Sequence, residues 1–288
     1  MCAHPLFHLV NKFAFTNIQE GVPAKMILNT QSQFESCLSL NDQQQYIASY
    51  DGLTLTSVFQ PIYDTQQSIV GLEALVRIFD SNQQPIRPDL FFGSTDVSDN
   101  DKVNVERLSR VIHMRNFARS ALRNKILFLN VLPIAAEKLA MGDIKSGLLV
   151  RRVEELKLTH SQIVLELIEL DTQNPEVLNR VMHQFKQHGF KIAIDDFGVN
   201  ASTIERVKDI TPNIIKFDRS MLLEHCDGIT EPLKFAIDLA KSIGAKTVIE
   251  GVETEKQLQA IQHLDIDMYQ GFYFAMPKPL SVDVAYIN

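Results

Sequence analysis

Short apolar runs recur along the chain from about residue 54 onward, and amphipathic segments lie between many of them. Most runs are continuous in Ile, Val, Leu and Phe, which is typical of strands covered on both faces. The amphipathic segments carry apolar residues at helical spacing. The pattern predicts eight strands, at residues 54–63, 69–78, 125–132, 162–170, 191–196, 213–218, 246–251 and 268–275, and helices at residues 103–122, 175–188, 230–243 and 254–263.

The fold class follows from this alternation. Eight strands with helices between the later ones predict an α/β protein, a TIM-like (β/α)8 barrel. Residues 64–68 are too few for a crossover helix, so they predict a hairpin and an antiparallel first strand. Residues 93–101 are polar and acidic and predict an exposed loop. We interpret residues 1–40 as a short N-terminal extension of unknown role and residues 41–288 as the barrel domain.

Composition and charge narrow the classes of function. The 288 residues are 45% hydrophobic, as expected of a globular protein with a sizeable core. The formal net charge of −7, without a Lys/Arg-rich run, argues against binding of duplex nucleic acid through its phosphates. The three cysteines are widely spaced and odd in number, which argues against disulfides. None of them has C-x-x-C spacing, which argues against a zinc site built on that motif. The apolar stretches are too short to span a membrane and the N-terminus lacks a signal-peptide pattern, so we expect a cytoplasmic protein.

Acid and amide side chains interrupt the apolar runs toward their carboxyl ends. Burial of a carboxylate is costly unless the group is paired or bound to a metal. The active sites of such barrels lie at the carboxyl ends of the strands, so these side chains are expected to meet there. Oxygen ligands of this kind suit two ions of Mg²⁺ or Mn²⁺. The candidates are Glu73, Asn130, Glu166, Asp195, Asp196 and Glu250.

The neighbouring acids Asp195 and Asp196 would point to opposite sides of a regular strand. Both can bind metal only if the strand ends there, which the nearby Gly198 favours. One aspartate would then bridge two cations about 4 Å apart, the arrangement that hydrolyses phosphate esters.

Two cationic side chains are expected at the same mouth. Lys216 and Asp218 share one face of their strand, so the lysine could polarise an attacking water or neutralise phosphate charge. Arg77, four residues after Glu73, offers a planar fork for a phosphate oxygen.

Each of these residues also has a simpler explanation when taken singly. Glu73 could pair with Arg77, and Asn130 could be a satisfied amide at a strand end. The two aspartates could begin a turn, Lys216 could lie on the surface, and Glu250 and Glu253 could favour the start of a helix. Several such groups at corresponding strand ends are nevertheless hard to place without a cation between them. The histidines show no ligand spacing and are interpreted as surface or helix-face residues: His113, His160, His183, His188 and His263.

The motifs together resemble the EAL-domain cyclic di-GMP phosphodiesterase family. The matching blocks occur in the family's order and cover roughly residues 53–280. They are Gln60-Pro61-Ile62, Glu73-Ala74-Leu75-Val76-Arg77, Phe128-Leu129-Asn130-Val131, Glu166-Leu167-Ile168-Glu169, Asp195-Asp196-Phe197-Gly198, Lys216-Phe217-Asp218, Glu250-Gly251-Val252-Glu253-Thr254, and Gln270-Gly271 before Pro277.

The resemblance implies roles for these residues. Glu73, Asn130, Glu166 and Asp195 are similar to ligands of a first metal, and Asp195, Asp196 and Glu250 to ligands of a second. Lys216 resembles the family's proposed base or water-orienting residue, with Glu253 and Gln270 in supporting roles. Gln60, Leu75, Arg77 and Asp218 resemble contacts to the dinucleotide. The implied reaction is hydrolysis of cyclic di-GMP to linear pGpG, and a homodimer is expected.

The chain also departs from the family pattern. Residues 199–203 read Val-Asn-Ala-Ser-Thr where the family usually has Thr-Gly-Tyr-Ser-Ser, a loop that helps to hold the second metal and couples the site to the dimer interface. Ile78 stands in place of the usual Trp, and residues 91–97 lack the Ile-Pro-x-Ala-Glu pattern. Two alternatives to the phosphodiesterase therefore stay open: a non-catalytic receptor or protein-binding module, and a barrel metalloenzyme with another class of substrate.

Overall fold

The computed structural model describes residues 26–139, 148–167, 174–198 and 204–286. The strands are β1 (Leu38–Leu40), β2 (Tyr46–Tyr50), β3 (Leu53–Asp64), β4 (Ile69–Phe79), β5 (Pro85–Ile86), β6 (Ile126–Val131), β7 (Ile163–Leu167), β8 (Lys191–Phe197), β9 (Ile214–Phe217), β10 (Lys246–Ile249) and β11 (Met268–Tyr269). The helices are α1 (Gln31–Ser36), α2 (Pro88–Gly93), α3 (Asp99–Ala118), α4 (Pro133–Leu139), α5 (Leu148–Glu155), α6 (Pro175–Gln187), α7 (Ile204–Ile210), α8 (Arg219–Cys226), α9 (Glu231–Ser242) and α10 (Glu255–Ile261).

Eight of these strands close into a barrel. The order around the ring is β3, β11, β10, β9, β8, β7, β6, β4 and back to β3. Strands β4 and β6 to β11 run parallel to one another, whereas β3 is antiparallel to both of its neighbours. The predicted barrel with an antiparallel first strand is therefore confirmed. The β1–β2 hairpin and β5 extend the sheet outside the ring.

Some predicted boundaries are wrong. The last predicted strand, 268–275, is only two residues long, Met268–Tyr269. A Cβ atom at Gly271 would overlap the backbone of Val252, so the two segments approach each other closely at this point. The chain turns there, and the strand ends. The predicted loop 93–101 is shorter than expected, because it is limited to residues 94–98 between α2 and α3. Ser98 accepts a hydrogen bond from the Asp101 amide as the N-cap of α3. The end of the predicted strand 162–170 lies outside the described residues.

The inside of the barrel is arranged in layers because alternate residues of a strand face the same side. One apolar layer contains Ile62, Phe128, Val164, Ala193, Ile214, Val248 and Met268. On β4 this level is occupied by Gly71, where a Cβ atom would come within 2.7 Å of the Phe128 ring. This layer closes the barrel beneath its mouth.

A second apolar cluster lies outside the ring. It joins Phe34 and Ala48, from the segment before β3, to Val105, Leu108 and Ile112 of α3. The first half of the structure is thus packed around α3, with α1 and the β1–β2 hairpin on one side of this helix. Among the described residues, no helix is both long and apolar enough to cross a bilayer.

Candidate metal centre

A polar layer lies directly above the apolar layer, two residues along each strand. Because the strand period is two, each of these side chains points into the mouth of the barrel. The sequence predicted eight of the residues in this layer by their position in apolar runs or by resemblance. They are Gln60, Glu73, Asn130, Glu166, Asp195, Lys216, Glu250 and Gln270.

Lys216 lies at the centre of the polar layer and is almost fully buried, with 1% of its side chain exposed. Its Nζ is 2.5 Å from Glu250 Oε1, 2.8 Å from Asp195 Oδ1, 2.9 Å from Glu166 Oε1 and 3.5 Å from Glu73 Oε2. The interpretation of Lys216 as a surface lysine is therefore wrong. A single ammonium group connects carboxylates from four strands or strand ends.

Glu73 is held by two amide side chains. Gln270 Nε2 donates to Glu73 Oε2 at 2.7 Å, and Asn130 Nδ2 donates to Glu73 Oε1 at 3.2 Å. Glu73 lies in the middle of β4 and not near its end, because β4 continues past the barrel rim in its hairpin with β3. Its strand-end position was wrongly predicted, but the parallel pairing of β4 with β6 stops at Ala74, so Glu73 still lies at the rim.

The carboxylates form two groups that share one member. Oxygens of Glu73, Glu166 and Asp195 lie within 4.8 Å of one another, and so do oxygens of Asp195, Asp196 and Glu250. As expected from the sequence, β8 ends directly after the two aspartates, at Phe197, and Gly198 follows with a φ of 111°. In addition, Asp196 has a φ of 50°, and the pairing of β8 with β9 shifts register between Ile194 and Phe197. This irregularity lets adjacent residues serve one site.

The electrostatics of the polar layer favour bound cations. Burial raises the pKa of Glu166, Glu250 and Asp195 above the ordinary values, and the attraction of Lys216 offsets only part of this effect. Burial and the charge of Asp195 raise the pKa of Asp196 to about 6. Five carboxylates and one ammonium leave four negative charges when all are ionised, a charge that two divalent cations would balance.

Burial alone would lower the pKa of Lys216, but Asp195, Glu166, Glu250 and Glu73 together raise it above its ordinary value. The lysine is therefore held as an ammonium group. Glu166 Oε2 is buried and makes no hydrogen bond with any described residue, and the same is true of Gln270 Oε1. Unpartnered buried oxygens in an anionic cluster fit hard divalent cations.

Other predicted site residues lie around this centre. Gln60 pairs with Glu73 across the β3–β4 ladder, and its Nε2 is 3.5 Å from the Ala275 carbonyl. Leu75 and Arg77 line a cavity next to the carboxylates. Asp218 accepts a hydrogen bond from the Ser220 amide as the N-cap of α8.

Glu253 is not part of the carboxylate cluster. Its Oε2 accepts from Arg219 Nη2 at 2.7 Å in a partly exposed ion pair. The side chain of Arg219 passes over Gly251, whose φ of 67° and missing Cβ leave room for it. Glu253 therefore pairs with Arg219, and the ion pairs of Lys216 do not include it. Glu169 and the divergent residues 199–203 lie outside the described residues.

Sequence reasoning missed the wall of the cavity that adjoins the metal centre. The cavity has a volume of about 330 Å³, and Glu73, Asn130 and Asp195 form part of its lining. Helix α3 contributes Glu106, Ser109, Arg110 and His113. The spacing of three and four residues between these polar groups was the available signal, because it places them on one helix face.

The cavity wall is charged and buried. Arg110 Nη2 donates to Glu106 Oε2 at 2.8 Å, which leaves Glu106 Oε1 and Arg110 Nη1 buried without hydrogen bonds to described residues. His113 lies on a helix face, as one of the two interpretations had it, but it is not a surface residue, since it is 5% exposed and its Nδ1 lies 2.7 Å from Ser57 Oγ. Burial, together with the charges of Arg110 and Arg77, lowers the pKa of His113 to about 3, so the ring is neutral.

The fold and the polar layer define an α/β barrel with an acidic cluster at the carboxyl ends of its strands that could hold divalent cations. The chain belongs to the EAL domain family, whose model matches residues 43–277.

Similar proteins have been characterised to different degrees. The chain is 29% identical over 237 residues to the probable cyclic di-GMP phosphodiesterase PdeN of Escherichia coli, covering 80% of this chain and 45% of that protein. It is 24% identical over 271 residues to the cyclic di-GMP phosphodiesterase PdeA of Borreliella burgdorferi, covering 92% of this chain and 38% of that one. The chain thus spans less than half the length of these two relatives.

Two solved structures show the same fold. The Bacillus subtilis YkuI protein, in complex with cyclic di-GMP and calcium, has a TM-score of 0.69 and 24% identity over 81% of this chain and 58% of that one. A standalone EAL protein of Vibrio cholerae, bound to cyclic di-GMP, has a TM-score of 0.65 and 22% identity over 83% of this chain and 100% of that one.

Proposed function

We propose that this chain is a metal-dependent phosphodiesterase that hydrolyses cyclic di-GMP to linear pGpG. The observation that carries the proposal is the position of Asp195, which belongs to two groups of carboxylates whose oxygens lie within 4.8 Å of one another. Two cation sites that share a carboxylate would bring two ions close together, and such a pair stabilises the attacking and leaving oxygens of an in-line displacement at phosphorus. The names of the similar phosphodiesterases support the choice of substrate.

The metal ligands in this proposal are the residues that the sequence singled out. Glu73, Asn130, Glu166 and Asp195 would hold one ion, and Asp195, Asp196 and Glu250 the other. Mg²⁺ and Mn²⁺ are the proposed ions because all donors are hard oxygens. When bound, the ions supply Lewis-acid polarisation of the phosphodiester and make water a better nucleophile.

The chain's own residues do the remaining work. Lys216, held as an ammonium group among the carboxylates, orients the attacking water and stabilises charge that develops on the phosphoryl oxygens. Gln270 keeps the Glu73 carboxylate in position through its hydrogen bond. Glu253 acts indirectly, because its ion pair holds the Arg219 side chain over Gly251.

The dinucleotide is proposed to lie across the mouth with one base in the cavity beside α3. A volume of about 330 Å³ is in the range of small-ligand sites. The unpartnered Arg110 Nη1 and Glu106 Oε1 offer a donor beside an acceptor, which complements the O6 and N1–H groups of a guanine edge. Arg77 and Leu75 line the entrance, with Gln60 and Asp218 as further proposed contacts.

The setting of this activity is part of the same proposal. We also propose a cytoplasmic setting, where a nucleotide second messenger would be available. The net charge of −7 argues for a small nucleotide ligand rather than duplex nucleic acid. A homodimer remains our expectation from the family resemblance.

Turnover of cyclic di-GMP, followed by chromatography with Mg²⁺, Mn²⁺ or EDTA, tests the proposal. We expect pGpG with either ion and none with EDTA. Glu73→Gln should abolish turnover, whereas Glu176→Gln, at the exposed start of α6, should retain it. If the chain binds cyclic di-GMP but does not cleave it with either Mg²⁺ or Mn²⁺, the receptor alternative replaces the proposal. If it cleaves other phosphodiesters but not cyclic di-GMP, its substrate belongs to a different class.

A further inference from the structure

Helix α3 contacts two different parts of the molecule on two of its sides. The residues that line the cavity include Ser109 and His113. At about 100° per residue, Asn104 projects from the opposite side of the helix to His113. That opposite side is covered by residues 26–36, which we call the N-terminal clasp.

The clasp is bound through its backbone. Asn104 is fully buried, and its Oδ1 accepts from the Leu28 amide at 2.8 Å. Its Nδ2 donates to the Met26 carbonyl at 3.2 Å and to Tyr50 Oη at 2.8 Å. Arg107 Nη1 donates to the Leu28 carbonyl at 2.9 Å, so both polar backbone groups of Leu28 are bound by α3.

Two further contacts fix the clasp in place. Phe34 is buried against Val105, Leu108 and Ile112 of α3 in the second apolar cluster. Glu35 forms ion pairs with Arg115 of α3 and with Arg152 of α5. The clasp precedes residue 43, where the family match begins, so it is an addition to the matched domain.

We propose that the clasp positions α3 and thereby sets the affinity of the adjoining cavity for the nucleotide, with Asn104 as the positioning residue. The inference rests on the proposed function, because it takes the cavity as the nucleotide site. The physical reason is the burial of the Asn104 amide. Without the clasp the Asn104 Oδ1 acceptor would lose its partner and Nδ2 would keep only Tyr50 Oη. Unpartnered buried polar atoms are costly enough to reorient the helix toward water. Any rotation of α3 also moves Glu106 and Arg110 on the cavity wall.

Titration of cyclic di-GMP into the full chain, in Ca²⁺ and without turnover, tests this inference. We expect Asn104→Ala to raise the Kd about tenfold, because small displacements of a binding wall are expensive. Arg107→Ala, which removes one hydrogen bond at a less buried position, should raise the Kd by a smaller factor. The rise in Tm caused by Mn²⁺ should stay unchanged in both variants, since the carboxylates are untouched.

Asn116→Ala is the matched control. Asn116 is also buried on α3, and it binds the Tyr46 amide and carbonyl at 2.7 and 2.9 Å, beyond the residues that line the cavity. It should lower Tm by a similar amount and change the Kd less than about twofold. Equal Kd values for the unmodified chain, Asn104→Ala and Arg107→Ala would overturn the inference, as would an equal loss in Asn116→Ala. No binding by the unmodified chain would instead reject the proposed function and the inference with it.

Discussion

The ammonium group of Lys216 lies 2.9 Å from the carboxylate of Glu166, and both side chains are closed off from solvent. Each group makes the burial of the other tolerable, yet Glu166 Oε2 has no hydrogen bond with a described residue. Burial of a charge that is only partly compensated destabilises the fold. The unpartnered oxygen agrees with the proposed metal site, in which a bound cation would supply the missing interaction.

Replacement of Lys216 separates catalysis from metal binding. Lys216→Met should lower kcat by about 10²–10⁴, because it removes the group proposed to orient the water and stabilise developing charge. Binding of Mn²⁺, measured by calorimetry, should be retained, since the lysine competes with cations for the same carboxylates. The exposed Lys234→Met on α9 is the control and should leave kcat unchanged. Full turnover by Lys216→Met would remove the lysine from the mechanism.

Glu166→Gln should stabilise the apoprotein and prevent its stabilisation by metal. The amide has nearly the shape of the carboxylate but no charge to bury, so Tm in EDTA should rise at neutral pH. The unmodified chain should gain about 2.7 kcal/mol at a Mn²⁺ concentration of one hundred times Kd, and the variant much less. Differential scanning fluorimetry measures both effects. A lower Tm in EDTA would mean that Glu166 stabilises the fold by itself.

The pH dependence of stability should change sign when metal is added. The pKa of Asp196 is raised to about 6, and those of Glu166, Asp195 and Glu250 are raised as well, so the folded state binds more protons than the unfolded state. In EDTA this contribution to stability should therefore decline as the pH rises from about 4 through about 6 and beyond. Mn²⁺ needs the ionised carboxylates, so its stabilising effect should grow over the same range. Melting curves in EDTA and in Mn²⁺ at pH 5 and 7.5 check this prediction, and parallel trends in the two series would contradict it.

Arg110→Gln should weaken recognition of the base. The shorter, neutral amide does not reach the position of Arg110 Nη1, so the guanidinium donor proposed for guanine O6 is lost. The Kd for cyclic di-GMP should rise at least tenfold, while the Kd for cyclic di-AMP should change little. Arg123→Gln is the control, because Arg123 lies after α3 and donates to the Leu156 carbonyl at 3.0 Å, outside the cavity. An equal loss of affinity for both nucleotides would show that Arg110 supports the wall and does not read the base.

The barrel and its polar layer could be predicted from the sequence because strand geometry is local. A polar side chain two residues after an apolar residue in a buried run must face the same interior, whatever the helices do. Val164 with Glu166 and Ile214 with Lys216 follow this rule. The rule also separates Glu250, which contacts Lys216, from Glu253, which contacts Arg219, although sequence reasoning placed both at the site.

Only the tertiary structure decided which other groups surround this layer. Glu73 and Gln270 are 197 positions apart and meet because the ring closes through β3. The polar wall of Glu106, Arg110 and His113 reaches the mouth because the chain between β4 and β6 folds α3 across that side of the barrel. The periodicity of a helical segment shows which residues share a face of the helix. Which of these faces meets the site depends on the path of the loops and on packing against the N-terminal clasp, and both are non-local properties. The local pattern therefore determined the candidate metal ligands, and the packing of distant segments determined the cavity beside them.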